Sequence, residues 1–330
     1  MQPMKISDIN EFELIELIKK TIGNEPALML GIGDDTCVWT SPSHEMLATT
    51  DSLIEGVHFE PDQISWHNLG YKALAVNLSD VAAMAGTGSV ALVSLALPGN
   101  VRTDDVVSFY KGMLELARKT GIAIGGGNIS RSPIINITVT LIGTVGPSGR
   151  VLKRSGARAG DLIAVTGFPG SSAAGRAILA GKHKTREELA APLLDAFLRP
   201  APLVTEAAIC ARLGASAAID ISDGLLADLR HLLIASNTGA IINTRELPLI
   251  PLLEAGFSHQ QALEMALSEG EDYQLLFTAG AKEMEGILRA ISSTISVIGT
   301  ITKTEAGTVE FTENSELIKK LNLTGWRHFG

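Results

Sequence analysis

Short apolar, strand-like blocks alternate along this chain with blocks of helical period, and most of the strand-like blocks run into an aspartate or a glycine turn. A chain patterned this way has to lay helices against sheets, since neither element can bury its apolar face alone. Strand-like blocks fall at residues 46–50 running into Asp51, 90–97 stopped by Pro98-Gly99, 135–145, 161–166, 217–221, 240–243, 273–278 and 296–301. Helical periods cover 12–20, 66–85, 103–120 and 171–179, and a stripe of Leu225, Leu226, Leu229, Leu232 and Leu233. Asp104 and Asp105 stand in the first turn of the third helix, where the dipole favours them. The fold class is mixed α/β (α+β), and 330 residues is long for one core, so two domains are expected. The Pro/Ser/Gly segment from Gly146 to Gly160, with its basic residues Arg150, Lys153, Arg154 and Arg158, marks the boundary, giving domains 1–148 and 149–330.

The charge balance excludes several classes of partner. A net charge of −9 and only 5% aromatics leave neither the basic groove nor the stacking faces that a nucleic acid needs. Cys37 and Cys210 are too far apart, and too few, for a zinc site or a disulfide framework, and each reads as a small apolar residue. Residues 1–13 lack a signal-peptide core and no stretch approaches the roughly 20 apolar residues of a membrane helix, so a cytoplasmic protein without a membrane partner is expected.

There is no GxxxxGK[ST] loop, no kinase signature pair, no strand-associated GxGxxG and no GxSxG elbow. The chemistry-bearing residues are instead carboxylates at turns: Asp34 and Asp35 in GIGDD, Asp51 closing TTD, Asp80 in NLSD, and Asp220 and Asp223 in DISDG. Hard oxygen donors of this kind suit Mg²⁺, which keeps several waters and bridges to substrate phosphates. A single aspartate at a turn is more often a cap, and Asp8, Asp62 and Asp195 read that way. Gly125-Gly126-Gly127 lets backbone N–H groups converge on an anion, although a glycine triplet is usually just a turn. Arg154 is chemically able to clamp a phosphate, but on spacing alone it reads as a solvated residue, and His58 reads as structural rather than catalytic.

Taken in order, GIGDD (31–35), TTDSLIEGVHF (49–59), YKALAVNLSDVAAMAG (71–86), RSGARAGDLIAVTG (154–167), SSAAGRAIL (171–179), LRPAPLV (198–204), AIDISDGLLADL (218–229) and GEDYQLLFT (270–278) resemble the thiamine-monophosphate kinase family. The resemblance spans almost the whole chain. It implies the two-domain fold of the superfamily shared with aminoimidazole ribonucleotide synthetase, and a homodimer formed through the N-terminal sheets. It also implies ATP and thiamine monophosphate as substrates and several Mg²⁺ ions. The family's metal ligands fall on Asp35, Thr49, Thr50, Asp51, Asp80, Asn128, Asp220 and Asp223. Its nucleotide contacts fall on Tyr110, Gly127, Asn128, Arg154 and Ser222, and its thiamine-phosphate contacts on His58, Glu271 and Trp326.

One departure stands out. The family commonly reads GGDTT where this chain has Gly126-Gly127-Asn128-Ile129-Ser130, and an amide oxygen at Asn128 ligates a cation without the negative charge. The implied reaction needs no general base, because the acceptor phosphate, with a second pKa near ~6, is already an anion at neutral pH. The alternatives are another ATP-using member of the superfamily, such as a purine-pathway synthetase, or a non-catalytic nucleotide or metal sensor. A selenophosphate synthetase should carry a reactive cysteine near its N-terminus and the hydrogenase-maturation relative one at its C-terminus. Here the first cysteine is Cys37 and the chain ends Trp326-Arg327-His328-Phe329-Gly330.

Overall fold

A computed structural model describes residues 5, 8, 11–26, 28–30, 38–39 and 45–312 of the chain. The chain divides into two compact units, residues 1–81 with 87–145, and residues 82–86 with 146–330.

In the first unit, helix α1 (Glu11–Ile22) and the short strands β1 (Leu28–Leu30) and β2 (Val38–Trp39) precede strand β3 (Met46–Ile54). Helix α2 (Trp66–Ala83), β4 (Gly86–Leu97), α3 (Thr103–Thr120), β5 (Ala123–Arg131) and β6 (Asn136–Val145) follow. The sheet runs β3-β6-β4-β5, with β3 and β6 antiparallel and β4 and β5 parallel. Every residue from Tyr71 to Ser79 of α2 is buried, the signature of a helix with apolar neighbours all round. Helices α2 and α3 meet backbone to backbone: a Cβ on Gly70 would overlap the Phe109 carbonyl oxygen, and one on Gly112 the His67 carbonyl oxygen. Helix α3 carries Asp104 and Asp105 in its first turn and ends at Gly121, whose φ of 73° closes the helix through the Ala117 carbonyl.

The second unit holds strands β7 (Leu162–Thr166), β8 (Ala217–Asp220), β9 (Gly239–Ile242), β10 (Leu275–Ala279), β11 (Ile295–Thr302) and β12 (Val309–Phe311). They are ordered β12-β9-β11-β7-β10-β8, and of their pairings only β12–β9 is parallel. The helices are α4 (Ser171–Leu179), α5 (Glu187–Leu198), α6 (Val204–Leu213), α7 (Leu225–Ser236), α8 (Ile250–Glu254), α9 (His259–Ser268) and α10 (Ala281–Ala290). The two-residue period of the central strands sorts their side chains onto two faces. Ile163, Val165, Ile219 and Leu276 join the leucines of α7 and α9 in one core, which includes the whole Leu225–Leu233 stripe. Ala164, Ala218, Leu275 and Phe277 join Cys210 of α6 and Met284 and Ile287 of α10 in the other. Cys210 is thus the buried apolar residue its isolation in the sequence implied, and Cys37 lies outside the described residues.

Two local expectations are corrected. Gly125-Gly126-Gly127 is not a turn but part of β5, bulged where the pairing shifts between Ala91 and Leu92. A Cβ at Gly127 would overlap the Val93 carbonyl oxygen, so glycine is required at that position by the close approach of β4. Asp51 does not end a strand, since β3 continues through it to Ile54.

Candidate active site

Strand β3 and helix α2 build the first cluster of oxygen donors. Thr49 and Asp51, two apart on β3, point to one face and Thr50 to the other. The Thr49 hydroxyl donates to Oδ2 of Asp80 at 2.6 Å, and the Asp51 backbone N–H donates to Oδ1 of Asn77 at 3.0 Å. The Asn77 amide is oriented in turn by its own bond to the Ala73 carbonyl, 3.0 Å away. Thr50 is spent on the neighbouring strand, bonding the Val139 carbonyl at 3.2 Å and the Thr140 hydroxyl at 3.1 Å. Thr49, Asp51 and Asp80 are therefore brought together, with Asn77 between strand and helix. Asn77 was not singled out in the sequence, although its place three residues before Asp80 puts both on one helix face.

Asn128 and Gly127 stand elsewhere in the same unit. They sit on β5, opposite Ser94 and Val93 of β4, and β5 is the outermost strand on the side of the sheet away from β3. Three interstrand spacings, about 14 Å, separate the two strands. Tyr110, only 4% exposed, lies in the interior with its ring edge-to-face against Phe109, and burial pushes its hydroxyl above the usual range. His58 closes the turn after β3. Its Nδ1 accepts from the Ile54 N–H at 3.1 Å, so the neutral ring carries its proton on Nε2.

The second unit builds its donors from two loops. Strand β8 delivers Asp220, 5% exposed, into the turn Ile221–Gly224. Asp228, in the first turn of α7, holds that turn from below: its Oδ2 accepts the N–H groups of both Ser222 and Asp223 at 3.0 Å. The second loop, Gly270–Gln274, lies against the first. The N–H groups of Glu271 and Tyr273 donate to the carbonyls of Ser222 and Ile221, both at 2.8 Å, and the Ile221 N–H donates back to Gln274 at 2.8 Å. A Cβ on Gly270 would overlap the Ser222 carbonyl oxygen, and one on Gly224 would stand 2.8 Å from the Ser268 carbonyl oxygen, so glycine is what lets the backbones meet. Glu271 and Tyr273 adopt left-handed φ values of 68° and 50°. Such conformations cost of order 1–3 kcal/mol each and persist where surrounding bonds over-determine them.

These loops concentrate negative charge. Asp228 is pushed up to about 7, first by burial and then by the charge of Asp220, with Asp223 adding to it while the Ser222 and Asp223 N–H groups pull the other way. Asp272 is likewise pushed up to about 7 by burial, against the pull of the Gly170 and Ser172 N–H groups, with Glu271 and Glu269 raising it further. Both shifts come first from burial, and the charges of Asp220 and Asp223 add to the shift of Asp228, a repulsion that a divalent cation bound there would relieve. Among the described residues no three His, Cys, Asp or Glu side chains are spaced to hold a metal by themselves. Asp34, Asp35 and Trp326 lie outside the described residues.

Ser222, Asp220, Asp223 and Glu271 are thus brought together, and Arg154 is not with them. The Arg154 carbonyl accepts from the Ser236 hydroxyl at 2.9 Å, at the far end of α7 from Ser222. Those twelve residues of α7 put about 17 Å between the two backbones. The rest of the basic segment, Arg150, Lys153 and Arg158, lines a cavity of about 500 Å³ beside Ser216 and Gly280, at the end of the sheet opposite Asp220. Arg150 is occupied there by the Ala211 and Ala215 carbonyls, at 3.2 and 2.7 Å, and so closes the C-terminal end of α6.

Comparison with known proteins places both units. The family model described as AIR synthase related protein, N-terminal domain, matches residues 33–145, and the corresponding C-terminal domain model matches 158–312. A relative from Aquifex aeolicus called thiamine-monophosphate kinase is 37% identical over 328 residues, covering 99% of this chain and 100% of the relative. The crystal structure of thiamine-monophosphate kinase from Stenotrophomonas maltophilia K279a superposes with a TM-score of 0.81 at 34% identity, covering 92% of this chain and 97% of that one. A solved structure described as AaThiL complexed with AMPPCP and TMP superposes with a TM-score of 0.76 at 34% identity over the full length of both chains. With a likeness that runs from end to end and takes in both donor clusters, the chain belongs to the thiamine-monophosphate kinase family, within the AIR synthase related fold.

Proposed function

We propose that this chain transfers the terminal phosphoryl group of ATP to thiamine monophosphate, giving thiamine diphosphate and ADP. The observation that carries the reading is the pairing of the Ile221–Gly224 turn with the Gly270–Gln274 loop, which sets Asp220, Ser222 and Asp223 beside Glu271. In this reading Ser222 contacts the nucleotide, with Gly127 and Asn128 as further contacts. Glu271, His58 and Trp326 receive thiamine monophosphate. The acceptor phosphate is an anion above its second pKa of ~6, so no side chain has to remove a proton from it. The chain's task is positioning: the anchored loops fix donor and acceptor in line, and the Glu271 carboxylate faces the cationic thiazolium.

Thr49, Asp51, Asp80, Asn128, Asp220, Asp223 and Asp35 are the residues that would hold Mg²⁺, while the Thr50 hydroxyl is spent on Val139 and Thr140. The bound ions would neutralise the repulsion between two phosphorylated molecules. We assign residues 1–148 to nucleotide and metal binding and dimerisation, and 149–330 to a second α/β domain, a division supported by the two compact units. The roughly 14 Å between the donors on β3 and Asn128 on β5 favours a homodimer through the N-terminal sheets, in which a second copy brings the other edge of its sheet to the site. A cytoplasmic enzyme is in keeping with the lack, among the described residues, of any helix long and apolar enough to cross a membrane.

The test is an ADP-release assay with thiamine monophosphate and aminoimidazole precursors offered as acceptors. Turnover with the precursors and none with thiamine monophosphate would move the chain to the purine-pathway branch. Turnover with neither would leave a sensor. Near-normal turnover at limiting Mg²⁺ by both Asp51→Ala and Asp80→Ala would remove the metal scheme.

A further inference from the structure

Helix α4 lacks a cap of its own. Its N-cap residue is Gly170, no local side chain caps it, and the neighbouring Ser171 hydroxyl turns back to the Phe168 carbonyl at 2.6 Å. The buried donors of its first turn are satisfied from 102 and 100 residues downstream, where Asp272, itself 4% exposed, accepts the Gly170 N–H at 2.6 Å and the Ser172 N–H at 3.1 Å with its two oxygens. A local serine or aspartate would cap the helix as well. A cap borrowed from another loop does something a local one cannot, since it fastens that loop to the helix.

The same helix grips the loop a second time. Arg176, in the last turn of α4, pairs with Glu269. The two ties bracket Gly270 and Glu271, and Glu271 is held in the left-handed region at φ 68° with its N–H on the Ser222 carbonyl. A free loop would relax Glu271 to an ordinary conformation and turn its side chain away from Ser222.

We propose that Asp272 is a positioning residue, which locks the Gly270–Tyr273 segment onto α4 and so presents the Glu271 carboxylate to the thiamine moiety of the acceptor. The proposal rests on the reading that Glu271 receives thiamine monophosphate. It places acceptor recognition under the control of a helix that itself need not touch the acceptor.

Steady-state kinetics and amide exchange on the full-length protein, wild type, Asp272→Asn and Arg176→Met, test it. In Asp272→Asn one oxygen becomes an amide that cannot accept. The expected result is a KM for thiamine monophosphate raised about tenfold with the KM for ATP unchanged, the mark of lost acceptor binding. Exchange of the Glu271 and Tyr273 amides should quicken about tenfold while Leu276 and Phe277 in β10 keep wild-type rates. A fall in thermal stability with both KM values and the Glu271 amide unchanged makes Asp272 an ordinary helix cap and overturns the proposal. If Asp272→Asn does not fold, the partly exposed Arg176→Met decides: about a threefold rise in the acceptor KM with faster Glu271 exchange supports positioning, and no change in either refutes it. Should the wild type not turn over thiamine monophosphate, the functional reading fails, and the exchange measurements alone decide whether Asp272 holds the loop.

Discussion

Replacing Asp228 separates what its hydrogen bonds do from what its charge costs. The side chain is 2% exposed, and one of its oxygens accepts two backbone N–H groups of the Ile221–Gly224 turn. Its carboxyl is raised from an ordinary 3.8 to about 7, so folding favours the protonated form. The sign follows directly. The stabilisation is fully present below about pH 4 and is lost as pH rises through about 7. At about 1.4 kcal/mol per pH unit the interval amounts to about 4 kcal/mol, and at 2% exposure solvent screening does not reduce it. Asp228→Asn keeps an acceptor oxygen for both N–H groups and removes the charge, whereas Asp228→Ala strands the two donors at about 1–3 kcal/mol each. Urea unfolding from pH 4 to pH 8 in the presence of a chelator is the assay. The wild type should lose about 4 kcal/mol against Asp228→Asn across that range, and Asp228→Ala should lie below Asp228→Asn throughout. A wild-type advantage over Asp228→Asn that is flat or grows with pH would refute the reasoning, because the negative charge would then be holding the turn.

Three further outcomes are expected. Thr49→Val removes the hydroxyl bonded to Asp80 and should destabilise by about 1–2 kcal/mol while raising the magnesium concentration needed for half-maximal turnover, read from a metal titration. Phe277→Ala empties a fully buried position between α6, α10 and the sheet and should lower the unfolding free energy by about 3–5 kcal/mol, without altering either KM. Gly70→Ala drives a methyl group into the Phe109 carbonyl and should cost about 3 kcal/mol in denaturant unfolding, more than an alanine elsewhere on α2 would.

The elements legible in the sequence were those whose burial is one-sided or whose ends are punctuated. Helix α3 runs Thr103–Thr120, as its acidic first turn and terminal glycine imply, and the leucine stripe after DISDG is the inner face of α7. Helix α5 is masked in the sequence by Pro192, which sits inside it and reads as a break, although Ala190, Leu193 and Phe197 still bury one face. Helix α9 carries a local signal in the sequence, a capping box from Ser258 to Gln261. Strand β5 is hidden by its glycines, which disfavour a strand in isolation, and only the nearness of β4 explains Gly127. At the site, residue types were readable from the motifs and their arrangement was not. Nothing in the spacing of Asn77 or Asp228 tells that each accepts backbone N–H groups from a segment carrying expected ligands or contacts, nor that Asp272 accepts those at the start of α4, because such bonds form only once distant loops are folded together.

The meeting of α2 and α3 at Gly70 and Gly112 has a consequence for how this protein can change. Each glycine faces a carbonyl of the other helix, so the gap between them has no side chain to trim in compensation. A larger residue at either position cannot be rescued by a smaller one at its neighbour, since nothing is smaller than glycine and the obstacle is main chain. The helix that carries Asn77 and Asp80 is therefore held at a fixed distance from α3, and drift in sequence along either helix has to leave that crossing untouched.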